Sequence, residues 1–570
     1  MKHSELRKYF AEILFLYILL SCLIPNVALC FTERYTAAAA LANILLPAGV
    51  YTLLMASTRR IGRAGCWMFI VMFFAAFQIV LLSLFGRSVI AVDMFLNVLT
   101  TNPTEVGELL GNMLPVIILV VVLYVPPLVA SVVCNVRRIR LSDRFRAGAR
   151  RAGIVATSAG VACLITAYLM PGGYRVADDL YPVNVGYNIY LAASRTVKIS
   201  DYHRASADFT YHARSTRPQH DREIYVAVIG ETSRAPQWHL FGYARNTTAP
   251  LDSVGNLFKF PLTLSESNTT HKSVPMLMSS LDASSFEDSV YIHKGVITAF
   301  KEAGFHTMYI SNQARNHSFI DFFGEEADST LFINEIAGTA SHRYDHEMLS
   351  VMKDAISSNS ACKQLYVLHC YGSHFSYPDR YPSGTGSFLP DYPVEVAGSN
   401  HQRLVNAYDN TIEYTARFLA DLSQMLTAYG CRSAYVYTSD HGEDIFDDDR
   451  GMFLHASPVP SYYQIHVPML VWFSPAYAAS HPQTAGAALG NEKKAVSSSR
   501  SYFHTLLDLA GIESPFLRRE ASLIEPTYKP MPPLYLDDHN EGISLWECGM
   551  MEQDIEALRR AGFSGPGLTW

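Results

Sequence analysis

What this 570-residue chain has little of narrows its chemistry first. Its nine cysteines include no C-x-x-C pair, so thiolate zinc sites that depend on that spacing are excluded. Cys22, Cys30, Cys66, Cys134 and Cys163 fall in or beside apolar runs. Cys362, Cys370, Cys431 and Cys548 are left for a disulfide in an oxidising compartment, with no spacing that selects a pair. A Gly-rich phosphate loop, an internal repeat and a basic patch are all absent, which argues against nucleotide-loop enzymes, solenoids and nucleic-acid partners. Long uncharged runs are missing after Leu169, so everything from Arg175 onward reads as water-soluble.

Before Leu169 the composition is the opposite. A hydrophobic content of 49% exceeds what one globular core needs, and the excess is concentrated there. Five segments, 10–29, 37–55, 67–84, 114–133 and the short 153–169, approach the ~20 apolar residues that cross a hydrocarbon core. Any one run could be a buried core helix, but five in succession flanked by charges read as spans. The predicted organisation is a membrane domain over 1–170 with its boundary near Pro171, a linker over 171–220, and a soluble domain over 221–570.

Lys and Arg cluster in alternate connections: Lys2, Arg7 and Lys8, then Arg59, Arg60 and Arg63, then 137–151. The opposite connections hold little more than Arg34 and Arg87. By the positive-inside rule the N-terminus is cytoplasmic and five crossings export the soluble domain. No small-residue cleavage pattern closes the first run, so a cleaved signal peptide is not expected. In the connection 87–113, Met94, Phe95, Val98 and Leu99 form an apolar stripe that suits either the outer membrane surface or an ordinary connector.

In the soluble part, short β-rich runs end in acidic or imidazole side chains. Residues 224–229 lead into Gly230-Glu231-Thr232, 364–368 into His369 and Gly372-Ser373-His374, and 434–438 into Asp440-His441-Gly442-Glu443. Helical stretches between them, such as 296–303, predict alternating β and α around a parallel sheet. Strand ends in such sheets face the ligand crevice, which would gather these residues. Singly, Glu231 could cap a helix and Asp440 hold a turn; jointly, Asp, Glu and His without thiolates suit a divalent metal such as zinc with one open position.

The polar segment 265–275 leads into a helix expected near Val274, where a hydroxyl can meet an anion beside amide donors. Bound to a metal, such a hydroxyl can attack phosphorus, although Ser and Thr here also serve as N-caps. Composition does not choose among Ser267, Thr269, Thr270 and Ser273. Residues 467–473 read as a late strand, 501–510 as a helix with a structural His504, and the region beyond Ser514 follows no pattern.

Taken in order, Val228-Ile229-Gly230-Glu231-Thr232-Ser233-Arg234, Phe241-Gly242-Tyr243, Thr270 to Pro275, Tyr371-Gly372-Ser373-His374, Asn406-Ala407-Tyr408-Asp409-Asn410 and Thr438-Ser439-Asp440-His441-Gly442-Glu443 resemble the bacterial phosphoethanolamine transferases that modify lipid A and lipopolysaccharide core. Asn97-Val98-Leu99-Thr100-Thr101-Asn102 and Tyr181-Pro182-Val183-Asn184 extend the resemblance into the membrane part, over roughly 10–512.

The resemblance implies a five-helix transmembrane domain followed by an α/β domain of the sulfatase and alkaline phosphatase type, with a central, mostly parallel sheet. It implies zinc, one ion or two, held by Glu231, Asp440 and His441 with Thr270 as nucleophile. His374 and His455 would act on the phosphoethanolamine group or a second metal, with His369, Gln313 and His317 as further substrate contacts. The implied donor is phosphatidylethanolamine, the acceptor lipopolysaccharide or another envelope glycan, and the location the inner membrane with a periplasmic catalytic domain.

Two departures stand out. Many lipid A-directed members carry cysteines flanking the nucleophile, where this chain has Glu266 and Met276, and some carry a lysine where it has His317. Both fit a core-sugar or other glycan acceptor at least as well as lipid A. Phosphoglycerol transfer of the lipoteichoic-acid type, a membrane-anchored sulfatase or phosphodiesterase, and a regulatory protein that lost catalysis are the competing readings.

Overall fold

The computed structural model describes residues 9–33, 35–86, 88–100, 114–170, 174–336, 343–392 and 398–563, without the side chains of 97–100. The expected boundary at Pro171, most of the connection 87–113, the charges at Lys2, Arg7, Lys8, Arg34 and Arg87, and the signature residues 97–102 lie outside the described residues or side chains. The chain forms two compact units that part between Ser194 and Arg195. The expected linker 171–220 contains an 18-residue helix, Val183–Ser200.

The N-terminal unit is helical. Phe10–Thr32, Ala37–Ala56, Leu114–Val136 and Asp143–Leu169 are each long and apolar enough to cross a membrane. A fifth crossing requires Ile61–Trp67 and Phe69–Phe85 together, a pair bent by 48°. The run expected at 67–84 is thus mostly the helix Phe69–Phe85, and the bend lies at its start. Gly62 and Gly65 explain how Ile61–Trp67 packs, because a Cβ at either would fall within 2.1 Å of Asn135 N or 1.9 Å of Ser131 Oγ on Leu114–Val136. The last span is longer than the apolar run suggested, starting at Asp143 with Ser142 Oγ accepting from Phe145 N at 3.3 Å.

Prolines inside these helices free carbonyls that water cannot satisfy in a bilayer. Pro25 leaves the Ser21 carbonyl open, and Tyr124 donates to it at 3.0 Å. Pro47 does the same to Asn43, whose carbonyl accepts from Asn26 Nδ2 at 2.8 Å. Met94, of the stripe that suited either a membrane surface or an ordinary connector, is buried with Leu29, Leu81, Phe85 and Tyr181.

The second unit is built on a seven-stranded sheet: β1 (Glu223–Gly230), β2 (Leu257–Lys259), β3 (His306–Ser311), β4 (Ser329–Phe332), β5 (Lys363–His369), β6 (Arg432–Ser439) and β7 (Met469–Phe473). Their order is β2-β7-β6-β1-β5-β3-β4. The strands from β6 to β4 pair in parallel; β7 runs antiparallel to β6, and the edge strand β2 runs antiparallel to β7. Every residue of β1 is buried, as expected of a strand covered on both faces. Ile224, Val226 and Val228 pack with Ile412 and Leu419 of the helix His401–Ala428. Tyr225, Ala227 and Ile229 pack with Val274 and Leu277 of Thr270–Leu277 and with Phe503 of Ser498–Leu509.

Beyond Ser514 the structure holds a hairpin, Leu534–Leu536 with Gly542–Ser544, and the helix Glu552–Ala561. Leu536 N donates to Glu266 O at 2.7 Å, so this region braces the segment that leads to Thr270.

Candidate active site and metal centre

β6, β1 and β5 are neighbours in register, with Gly230 opposite Ser439 and Ile229 opposite His369. Their carboxyl ends therefore deliver Glu231, the turn to His374, and Asp440-His441 to one place. Gly372 is needed there: its φ is +53°, and a Cβ would meet Glu231 O at 2.5 Å. Ser373 N donates to that same carbonyl at 2.9 Å.

Glu231, Asp440 and His441 are buried, and each offers a ligand atom within 4.8 Å of the others. Backbone amides orient the aspartate, since Asp440 Oδ1 accepts from His441 N at 2.7 Å and Thr232 N at 3.2 Å. Its Oδ2 is buried without a hydrogen-bond partner among the described residues. His441 Nδ1 lies 2.9 Å from Gly442 O, which makes it the N–H nitrogen and leaves Nε2 as a ligand lone pair. Glu231 Oε1 accepts from Thr232 Oγ1 at 2.7 Å, and Gln313 Nε2 lies 3.3 Å from Oε2. An orphaned buried carboxylate oxygen facing an oriented imidazole nitrogen is a donor set that fits a divalent cation.

The hydroxyl that composition left open is chosen by the geometry. Ser273 Oγ donates back to Thr269 O at 2.9 Å, and Ser267 Oγ and Thr269 Oγ1 bond each other at 3.1 Å. Thr270 Oγ1, at the first residue of its helix, stands 3.0 Å from His441 Nε2 and 3.4 Å from Glu231 Oε2.

Two further imidazoles border the cluster. The His455 ring centroid is 4.2 Å from that of His441 and 5.9 Å from that of His374. His374 Nδ1 lies 2.7 Å from Phe375 O, and burial, with Arg380 and His455 nearby, pushes its pKa down to about 4. Arg380 braces this turn by donating to His374 O at 2.7 Å.

The three expected substrate contacts are placed differently. His369 is fully buried, its Nδ1 2.9 Å from Tyr309 OH, and burial pushes its pKa down to about 3. Gln313 donates to Cys370 O at 2.9 Å and meets Glu231, so it orients a candidate ligand. His317 is exposed on the loop after β3, anchored by its amide to Asp321 at 2.6 Å, with no contact to the cluster among the described residues. A charged or polar residue in a motif-rich run is not thereby aimed at the site.

Glu443 is the functional residue that the sequence reading quoted without giving it a role. It is fully buried, its Oε2 is 3.3 Å from His455 Nδ1, and its Oε1 accepts from Tyr377 OH. Burial pushes its pKa up to about 8. The signal was its place three residues after Asp440 in the same strand-end run.

Arg234 links the two ligand-bearing loops. Its guanidinium is fully buried, forks onto both oxygens of Asp447 at 2.6 and 2.8 Å, and donates to Glu443 O at 2.9 Å. Arg234→Ala strands the Asp447 charge and is expected to cost about 3–5 kcal/mol, read as a lowered melting temperature. Arg234→Met combined with Asp447→Leu should be less damaging than the single change; equal stability of wild type and Arg234→Ala would contradict this.

Residues 223–512 match the sulfatase family, half of the chain. The chain belongs to the sulfatase family. The sulfatase domain so defined contains every strand of the main sheet and every residue of the cluster. Among curated relatives, the phosphoethanolamine transferase EptC of Escherichia coli K12 is 27% identical over 317 residues, 53% of this chain and 53% of that protein. EptA of Salmonella typhimurium is 26% identical over 456 residues, 76% of this chain and 80% of that protein. The chain thus spans about half the length of the first of these relatives and four-fifths of the second.

Of solved structures, the lipooligosaccharide phosphoethanolamine transferase A of Neisseria meningitidis matches 90% of this chain and 98% of its own, with a TM-score of 0.72 and 21% identity. The periplasmic domain of Escherichia coli EptC, solved in complex with Zn, matches 60% of this chain and 97% of its own, with a TM-score of 0.53 and 24% identity. The first likeness carries the whole plan, apolar helices followed by a sulfatase-type α/β domain, and the second carries the α/β domain alone.

Proposed function

We propose that this chain transfers phosphoethanolamine from phosphatidylethanolamine to lipopolysaccharide, at a core sugar or lipid A, or to another envelope glycan. The reading places it in a bacterial inner membrane with its N-terminus cytoplasmic and its catalytic domain in the periplasm. The observation that carries it is Thr270 Oγ1, held at 3.0 Å from His441 Nε2 and 3.4 Å from Glu231 Oε2. Relatives named phosphoethanolamine transferases favour this donor over phosphoglycerol transfer or hydrolysis.

Glu231, Asp440 and His441, with the Thr270 hydroxyl, would hold one zinc ion. Bound there, zinc supplies Lewis acidity that lowers the hydroxyl pKa and offsets charge on phosphoryl oxygens. Thr270 Oγ1 gives up its proton and forms a bond to phosphorus as the bond from phosphorus to the diacylglycerol oxygen breaks, and that oxygen takes up a proton. An acceptor oxygen then gives up its own proton and displaces Thr270 Oγ1, which regains one. His374, kept neutral by burial, can accept a proton, and His455 is oriented to give or take one by Glu443.

Incubating the purified chain with phosphatidylethanolamine vesicles and zinc should release diacylglycerol and add the mass of one phosphoethanolamine group to the protein. Diacylglycerol release with phosphatidylglycerol alone would overturn the donor assignment.

A pH dependence follows from burial. In the ion-free chain burial raises the carboxyl pKa of Asp440, and that of Glu443 to about 8, and drives His441 far down. A carboxyl whose folded pKa is raised stabilises the fold below its unfolded value of about 4, and that stability is lost as pH rises through the folded value. His441, whose depressed pKa acts in the opposite sense, is neutral in both states above about pH 6.5, so the metal-free melting temperature should fall between about pH 6.5 and pH 8. The rise produced by zinc should grow over the same window, because zinc has to displace a proton from Asp440 at low pH. Differential scanning fluorimetry with and without zinc checks both; a zinc effect that shrinks as pH rises would refute the linkage.

A further inference from the structure

We infer that Gln464 and Asn268 form a positioning pair that sets where His455 stands relative to Thr270 and His441. Gln464 is fully buried and its amide is saturated. Nε2 donates to Asp444 Oδ2 at 2.8 Å and to Leu454 O at 3.2 Å. Oε1 accepts from Asn268 Nδ2 at 2.6 Å and lies 2.8 Å from Ser457 Oγ. The orientation of the amide has no alternative, since a carboxylate and a carbonyl only accept, so the NH₂ must face them. Asn268 is locked in the same way: Nδ2 also donates to Ser457 O at 2.8 Å, and Oδ1 accepts from Tyr535 OH at 2.7 Å.

The pair joins three segments of the site. Gln464 O accepts from Gly442 N at 2.8 Å, the amide next to His441. The Gln464 side chain holds the carbonyl of Leu454, which precedes His455. Asn268 stands two residues before Thr270, and its carbonyl accepts from Ala456 N, which follows His455, at 3.2 Å. Both neighbours of His455 are thus tied to the pair.

They need the tie. Leu454 and Ala456 have φ of +66° and +63°, the left-handed region disfavoured for any residue with a Cβ, so an unheld loop would relax and carry the His455 ring with it. No hydrogen bond joins either side chain of the pair to the His455 ring or to the Thr270 hydroxyl among the described residues, so the pair acts by placing backbone rather than by touching a reacting group, and the bonds to both neighbours of His455 assign that ring as the group it places.

Gln464→Leu removes these bonds at similar volume. In the full chain in detergent, zinc content should be unchanged while transfer from phosphatidylethanolamine falls about 10–100-fold. In a His455→Ala background the same substitution should cost less than about twofold, because the group it positions is gone. Separately, diethyl pyrocarbonate should modify His455 several-fold faster in Gln464→Leu than in wild type, read by peptide mass mapping. Equal losses in the two backgrounds, lost zinc, or unaltered His455 labelling would overturn the proposal. The activity arm rests on the transferase reading: if wild type does not turn over phosphatidylethanolamine, that reading fails and the labelling arm alone decides the positioning. Should Gln464→Leu not fold, Asn268→Ala is judged by the same criteria.

Discussion

Thr270→Ala is expected to lower turnover by at least about 10³-fold, because a covalent route has no substitute for its nucleophile. The fold should survive: alanine is a good helix former, and Thr269 rather than Thr270 occupies the N-cap position of Thr270–Leu277. Two measurements separate loss of chemistry from loss of structure. Intact mass after incubation with phosphatidylethanolamine should show the added phosphoethanolamine group in wild type and not in the variant. Melting temperature without metal should agree between the two within a few degrees. Thr270→Ser, which keeps a hydroxyl on a more mobile side chain, should retain measurable turnover. A Thr270→Ala protein that keeps a tenth of wild-type activity would remove Thr270 from the mechanism and return attention to water as the attacking group.

The second large effect concerns the metal. Asp440→Asn preserves shape and keeps an oxygen for the amides of His441 and Thr232, yet replaces the unpartnered Oδ2 with a donor NH₂. Zinc affinity, measured by chelator competition, should fall by at least about 100-fold. Without metal the sign reverses: removing a buried carboxylate whose pKa burial has raised should leave the metal-free variant as stable as wild type or more so. A variant that binds zinc as wild type does would show that Asp440 is not a ligand. One that is strongly destabilised without metal would show that the carboxylate is a structural group.

The departures from the family pattern acquire a physical account as well. No disulfide is formed among the described residues, so none braces the nucleophile segment. Glu266, at one of the positions where the resemblance led to a cysteine being expected, is buried and accepts from Ala283 N at 2.7 Å and Ser497 Oγ at 2.7 Å. It ties the start of the nucleophile segment to the loop beyond its helix and to the entry of Ser498–Leu509 by hydrogen bonds rather than by a covalent bridge.

By itself the sequence determined the division into an apolar helical part and a sheet-based part, because hydrophobic run length and strand patterning are local properties. It also determined that Glu231, His369 and Asp440-His441 end strands, and parallel topology then makes their convergence nearly obligatory. The bend after Trp67 did not follow from composition, and neither did the close approach of Gly62 and Gly65 to Leu114–Val136, since hydropathy does not record which helix lies alongside. Composition left Thr270 level with Ser267, Thr269 and Ser273 and the resemblance alone singled it out; the tertiary structure supplies the physical difference, because four hydroxyls within one short segment differ in what the distant residues Glu231 and His441 bring near them. The same holds for His369, buried against Tyr309, and for Gln464, whose partners Asn268 and Leu454 are remote or non-periodic in sequence. Strand ends are written in local pattern, but which side chain at those ends faces the cluster is set by contacts between segments hundreds of residues apart, and no local pattern encodes them.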